Sequence, residues 1–291
     1  MADRTGPKIV GIVNITADSF SDGGLYRDPE KAIQHALQLR ADGADVIDLG
    51  AASSHPDAED VPAREEIERL EPVIDELKRR GLTLSVDSYH PETQLYALQH
   101  GAAYLNDIHG FVHREIYKEL GRSGCRLIVM HAIQGAGRAT RETSDPAGIR
   151  DRIEGFFAKR MASLCAAGVA REQLIIDPGM GFFLGVDPEV SLTTLRELAW
   201  LKRRFGVPVL VSVSRKSFLR ALTGRAVTEV GAATLAAELY AATQGVDYIR
   251  THDARALRDG LCIWRALSEE DATSALGGGV TPVTSQDRSR R

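Results

Sequence analysis

Eight short apolar runs rich in β-branched residues recur along this 291-residue chain, each followed by a stretch with helical periodicity. The runs are Lys8–Val13, Asp45–Leu49, Leu82–Val86, Ala103–Leu105, Arg126–Met130, Gln173–Ile176, Val207–Val213 and Val246–Ile249. Asp28 and Pro29 open the first helical pattern, which carries Ile33, Ala36, Leu37 and Arg40 and stops at Gly43. A second places Ile67, Leu70, Ile74 and Leu77 before Gly81, and His90-Pro91 opens a third that ends at Gly101. Proline in the first turn and glycine just past the last are the usual start and stop signals of helices. Further helices are predicted over Arg114–Leu120, Pro146–Ala167, Pro188–Phe205, Glu229–Thr243 and Ala254–Leu267. Buried parallel strands read as continuous apolar runs, so eight strand–helix repeats predict an α/β fold, a single-domain (β/α)₈ TIM barrel over 1–270. A doubly wound open sheet is the alternative, but the first turn after a strand, Asn14 to Gly24, lacks GxGxxG and no shift in composition splits the chain. The end of the chain, 271–291, is rich in Gly, Ser, Thr and Arg and is predicted to be a disordered tail.

In a barrel the chemistry gathers where the strands end, so the residue after each run is informative. Those residues are Asn14, Gly50, Asp87, Asn106 with Asp107, His131, Asp177, Ser214 to Ser217, and Arg250 with His252. The sixth run shows the pattern most sharply. In Ile175-Ile176-Asp177-Pro178-Gly179-Met180-Gly181-Phe182-Phe183 an apolar stretch stops in a carboxylate, a proline and two glycines. Any one of these residues alone could be a helix cap or a turn former. Together they predict one polar ring around the mouth of the barrel. The connections Ile15 to Arg27 and Gly50 to Arg64 each hold about a dozen residues, against the usual 2–6 between strand and helix, and are candidate lids.

Net charge narrows what the ring can bind. With 36 basic against 40 acidic residues the formal charge is -4, which leaves no broad basic field for nucleic acid or an anionic membrane. Any phosphate must be gripped locally. Lys216, Arg250 and His252 follow the seventh and eighth runs, where barrels commonly hold phosphate. Asp87, Asn106 and Asp177 supply acceptors and one amide donor, a set suited to a planar, donor-rich heterocycle such as an aminopyrimidinone. Asn14 offers a neutral oxygen of the kind Mg²⁺ takes when water and phosphate complete its shell. Cys125, Cys165 and Cys262 are odd in number and lack CxxC spacing, so they predict buried, reduced thiols rather than a zinc site or disulfides. No run approaches a membrane span and Met1 to Pro7 holds no apolar core, so a cytoplasmic location is expected. The chemistry that fits is displacement of diphosphate from a carbon attached to a heteroaromatic ring. Cations and Mg²⁺ would take the charge of the leaving group, Asp87 would stand beside the cationic methylene, and the lids would exclude water.

The motifs Gly11-Ile12-Val13-Asn14-Ile15-Thr16-Ala17-Asp18-Ser19-Phe20, Val86-Asp87-Ser88, Asn106-Asp107-Ile108, Asp177-Pro178-Gly179-Met180-Gly181-Phe182, Ser214-Arg215-Lys216-Ser217 and Arg250-Thr251-His252-Asp253 resemble, in order, those of dihydropteroate synthase. The match runs from about Ile9 to Leu267. That family is a (β/α)₈ barrel, usually dimeric, that joins 7,8-dihydropterin-methyl diphosphate to p-aminobenzoate. The resemblance implies a Mg²⁺-dependent transferase acting as a homodimer. It implies that Asp87, Asn106, Asp177 and Lys216 hold the pterin, that Asn14 bears Mg²⁺ and that Arg250 and His252 grip the diphosphate. Catalytic roles would fall to Asp87, Lys216 and Asp18. The p-aminobenzoate site would be completed by Asp18, Ser19 and Phe20 of the first lid, Ser54 of the second, and Phe182, Phe183 and Ser217.

Two departures stand out. Housekeeping members usually carry Gly-Gly-Glu-Ser-Thr-Arg-Pro-Gly after strand two, whereas this chain reads Gly50-Ala51-Ala52-Ser53-Ser54-His55-Pro56-Asp57. His55 thus replaces an arginine, and a permanent fork-shaped cation becomes a titrating ring. Phe183 and Leu184 occupy what is commonly a Gly and a Lys, which adds a rigid body beside the p-aminobenzoate pocket. These stretches look like the Sul-type, sulfonamide-insensitive branch, in which a filled wall admits a flat carboxylate and excludes a tetrahedral, substituted sulfonamide. Packing of the barrel rim is the other reading of Phe183. A non-catalytic pterin-binding paralogue and a methyltetrahydrofolate-binding barrel are the alternative functions; the second requires neither Ser214-Arg215-Lys216-Ser217 nor the pair Arg250 and His252.

Overall fold

The computed structural model describes residues 6–15, 28–134 and 138–276, with side chains described as far as Ser268. The apolar runs become eight strands: β1 (Lys8–Asn14), β2 (Val46–Gly50), β3 (Leu84–Asp87), β4 (Tyr104–Asp107), β5 (Arg126–Met130), β6 (Leu174–Asp177), β7 (Leu210–Val211) and β8 (Tyr248–Thr251). All pair in parallel, in the order β6-β5-β4-β3-β2-β1-β8-β7. A parallel bridge between Ile176 and Val209 joins the two outer members and closes the barrel. The helices around it are α1 (Pro29–Ala41), α2 (Ala63–Arg79), α3 (Pro91–Gln99), α4 (Tyr117–Ser123), α5 (Ile149–Ala166), α6 (Pro188–Arg196), α7 (Leu198–Phe205), α8 (Ser217–Thr223), α9 (Gly231–Thr243) and α10 (Ala254–Leu276). Their starts follow the local chemistry. Asp28 caps α1 by accepting from the Glu30 amide at 3.0 Å and Asp187 caps α6 through the Glu189 amide at 2.9 Å, each just before a proline.

Successive side chains on a strand point to opposite faces, and in this barrel the two faces have different work. Outward residues such as Val13, Leu49, Val86, Leu105, Val129 and Ile176 join the helices in one large apolar cluster. Inward residues Val10, Val46, Tyr104, Ile128, Ile175, Leu210 and Tyr248 form a second cluster that fills the barrel at its lower end. One step further along the same inward rows come Ile12, Asp48, Asn106, Asp177, Ser212 and Arg250. The register sets Asn14 beside Gly50, Gly50 beside Asp87 and Asp87 beside Asn106. The barrel interior therefore turns from apolar to charged toward the strand ends.

The seventh run departs most from its predicted extent, Val207–Val213. Pro208 has no amide to give, and the Val209 amide is taken by the Asp247 carboxylate at 2.9 Å, so only Leu210–Val211 enters the ladder. Closure depends on single bonds instead, such as the Ile176 amide to the Pro208 carbonyl at 3.0 Å. The helix predicted over Pro188–Phe205 is two helices broken at Glu197. The short helix α8, inside the connection after β7, had no counterpart in the pattern. The last helix continues to Leu276, and residues 277–291 lie outside those described.

Candidate active site

A cavity of about 480 Å³ opens at the C-terminal end of the barrel, within the roughly 300–1,000 Å³ typical of small-molecule sites. Asn14, Ser54, Asp87, Phe182, Phe183, Lys216, Ser217, Arg250 and His252 all line it, although they come from six strand-to-helix connections. Asn106 and Asp177 do not reach the cavity wall; both are buried on β4 and β6. Asp18 and Phe20, together with Ser19, lie outside the described residues. Two other members of the sequence ring face elsewhere. Asp107 points outward and accepts from Gln94 at 2.8 Å and from the His109 and Phe111 amides at 2.7 and 3.0 Å. His131 packs edge-on against Phe156 with a ring nitrogen 3.0 Å from the Pro178 carbonyl, and burial lowers it to about 4.

Asp48 ties the charged layer together. Its Oδ2 accepts from Arg250 Nε at 2.6 Å and from Asn106 Nδ2 at 3.3 Å, while Arg250 Nη2 donates to Asp87 Oδ2 at 2.8 Å. Strand-end reading missed Asp48 because it lies two residues before the end of β2. The available signal was a lone carboxylate inside the run Val46-Ile47-Asp48-Leu49. Burial is the largest influence on every ionisable neighbour here. It pushes the Asp87 carboxyl up to about 7, with Asp48 and Glu66 adding to the rise and Arg250 and Lys216 opposing it. It pushes Asp177 up to about 6 against the pull of Lys216 and Arg250. Lys216 comes down to about 8, lowered also by Arg250 and held up by Asp177 and Asp87. Burial, then the cations Arg215, Arg250 and Lys216, hold His252 well below the ordinary histidine value, so its ring is neutral. It is therefore a hydrogen-bonding group and not the cation expected from the sequence.

Beneath the cavity several buried polar atoms have no hydrogen-bond partner among the described residues: Asp48 Oδ1, Ser85 Oγ, Asn106 Oδ1 and Ser212 Oγ. Leaving such an atom unpaired costs about 1–3 kcal/mol, so their grouping on inward positions of β2, β3 and β4 and just past β7 marks a place made for a polar ligand.

The β6 loop forms one wall. Gly179 and Gly181 have φ of +76° and +64°, and a side chain at either would meet the His131 carbonyl or, at 2.9 Å, Ser217 Oγ. This close approach lets Phe182 and Phe183 reach the cavity. Phe183 is also packed among Ile108, Met130 and Ala139, and its ring centroid lies 5.0 Å from the Lys216 ammonium. Opposite it, the Ser54 carbonyl accepts from the Ala139 amide at 3.2 Å, and His55 meets Phe182 edge-on at 6.0 Å. Burial lowers the His55 ring below its ordinary value. Two arginines that no sequence pattern indicated, Arg141 and Arg220, complete this side.

The family model for pterin binding enzymes matches residues 10–252. The chain is 57% identical over 261 residues to a dihydropteroate synthase type-2 of Escherichia coli, an alignment covering 90% of this chain and 96% of that protein. In structure it is similar to Yersinia pestis dihydropteroate synthase in a sulfonamide drug complex, with TM-score 0.83 and 31% identity over 92% of this chain and 96% of that one. The Xanthomonas albilineans dihydropteroate synthase with 4-aminobenzoic acid gives TM-score 0.82 and 34% identity over 90% and 93%. A family match across most of the length, on a barrel whose inward strand ends carry this polar layer, means that the chain belongs to the pterin-binding enzymes, among the dihydropteroate synthases.

Proposed function

We propose that the chain condenses 7,8-dihydropterin-6-ylmethyl diphosphate with p-aminobenzoate, giving 7,8-dihydropteroate and diphosphate for folate biosynthesis. The observation that carries this reading is the group of buried, unpartnered polar atoms beneath a cavity whose rim holds Lys216, Arg250 and His252. A pterin edge supplies both donors and acceptors for such atoms. Asn106 Oδ1 and the Asp177 carboxylate would accept its N–H groups, and the Lys216 ammonium would donate to its acceptors. The bond from the methylene carbon to the diphosphate oxygen breaks, the amine nitrogen of p-aminobenzoate bonds to that carbon, and the amine releases a proton. Ionised Asp87 would favour the positive charge that develops on the methylene. Arg250 and His252 would hold the departing diphosphate; with Nδ1 engaged by Ser214 at 2.9 Å, Nε2 of His252 is left for a phosphate oxygen.

Among the described residues no cluster of three His, Cys, Asp or Glu side chains could cage a metal. The single neutral oxygen of Asn14, on the cavity wall, instead fits Mg²⁺ in the way phosphate enzymes hold it. Bound there with diphosphate oxygens, Mg²⁺ would supply charge to the leaving group. Phe183 would narrow the p-aminobenzoate end enough to exclude sulfonamides, conferring resistance, while also packing the rim. Exposed Tyr240, Ile263, Trp264 and Leu267 on α9 and α10 support the homodimer reading. No described helix is long and apolar enough to cross a membrane, which is compatible with the proposed cytoplasmic location. The test is diphosphate release on mixing dihydropterin-methyl diphosphate, Mg²⁺ and p-aminobenzoate. Release that requires p-aminobenzoate is expected, and its absence would refute the synthase.

A further inference from the structure

The amine of p-aminobenzoate must meet the methylene carbon deep in the cavity, so the carboxylate at the opposite end of its ring points toward the mouth. An anion in a partly desolvated site calls for a cation. His55 does not provide one, because burial keeps its ring neutral. Two guanidinium groups line this side. Arg141 is already committed, since two of its nitrogens donate to the two oxygens of Asp57 and its face lies over Phe182, 5.8 Å from the centroid. Arg220 on α8 differs. It lines the cavity, yet its guanidinium has no hydrogen bond, ion pair or ring contact among the described residues. Ser217, three residues earlier and so on the same helix face, lines the cavity as well, and its hydroxyl too is unpartnered among the described residues.

The position of Arg220 separates it from the diphosphate. Its charge acts on His55, in the connection after β2, whereas the cations acting on His252 are Arg215, Arg250, Lys216 and His35. We propose that Arg220, together with the Ser217 hydroxyl, holds the carboxylate of p-aminobenzoate, so that the cation missing from the loop after β2 is supplied from the helix after β7. This assignment rests on the synthase reading. An arginine is suited to it because its planar fork matches the two oxygens of a carboxylate.

The test compares p-aminobenzoate with uncharged 4-aminobenzamide, each as nucleophile or as competitor, in the unchanged protein, Arg220→Ala and Arg220→Lys. Loss of a charge-assisted contact of this kind corresponds to about a 10–100-fold rise in the KM for p-aminobenzoate. The KM for the pterin diphosphate and the binding of the benzamide should stay unchanged in Arg220→Ala, and Arg220→Lys should recover part of the loss. An equal change for acid and amide, or a rise confined to the pterin diphosphate, would overturn the assignment while leaving the synthase reading intact. Should Arg220→Ala not fold, the same acid-to-amide ratio read in Arg220→Lys decides it, an unchanged ratio counting against it. No diphosphate release from the unchanged protein would refute the synthase reading itself and this assignment with it.

Discussion

The two ends of the barrel interior are built from the same strands, on the same inward rows, with opposite chemistry. Val10, Val46, Tyr104, Ile175, Leu210 and Tyr248 fill the lower end, and two residues further along those rows stand Ile12, Asp48, Asn106, Asp177, Ser212 and Arg250. At the lower end the polar atoms are satisfied locally, as where Arg126 donates to the Tyr248 hydroxyl at 2.5 Å. At the upper end several are left unpaired. The difference shows how one scaffold divides its tasks: packing in one layer provides the stability that the adjoining layer of desolvated charge gives up.

Arg250→Met should show the largest effect, because Arg250 belongs to the charged layer yet is paired in register with Val10 of the apolar one. Removing it strands Asp48 and Asp87 without their cation, for an expected loss of about 3–5 kcal/mol in denaturant titrations. A loss confined to activity would break the claim that the layer is electrostatically self-balanced. Lys216→Ala should lower kcat/KM by about 10²–10³-fold with Tm nearly unchanged, since burial already disfavours this ammonium; near-normal turnover would contradict its role. Phe183→Gly should tighten sulfamethoxazole inhibition by about tenfold or more relative to the KM for p-aminobenzoate, and Phe183→Leu should do so less. Unchanged inhibition in both would leave Phe183 as rim packing alone. The pH profile of kcat/KM should be bell-shaped, rising through about 7 as Asp87 ionises and falling through about 8 as Lys216 loses its proton, each belonging to the coupled set. The same raised carboxyl gives a stability contribution present below 3.8 and lost as pH rises to about 7, which Asp87→Asn should remove from the pH dependence of unfolding. Smallest, Ile175→Val in the lower layer should cost about 0.5–1.5 kcal/mol with kcat/KM per folded molecule unchanged.

Element existence was legible because buried parallel strands carry uninterrupted apolar runs, and most of the polar ring followed from taking the residue at each strand end. That rule fails where the inward residue lies elsewhere. On β2 it selected Gly50 and passed over Asp48; after β4 and β5 it selected Asp107 and His131, which face the helices. Apolarity also says nothing about ladder partners, so Pro208 and the Asp247 carboxylate shortened β7 without trace in the pattern. Arg141 and Arg220 look like ordinary surface charges in sequence. Only the fold shows that one is paired and the other is not.

The central claim is that Asn106, Asp177 and the cations above them share one pterin at the upper end. A crystal structure with bound 7,8-dihydropteroate tests it most directly. The account expects the pterin within hydrogen-bond distance of Asn106 and Asp177 and the benzoate directed toward Ser217 and Arg220. A pterin found instead in the cavity of about 770 Å³ at the other end, beside Lys8, Arg126 and Trp264, would contradict it.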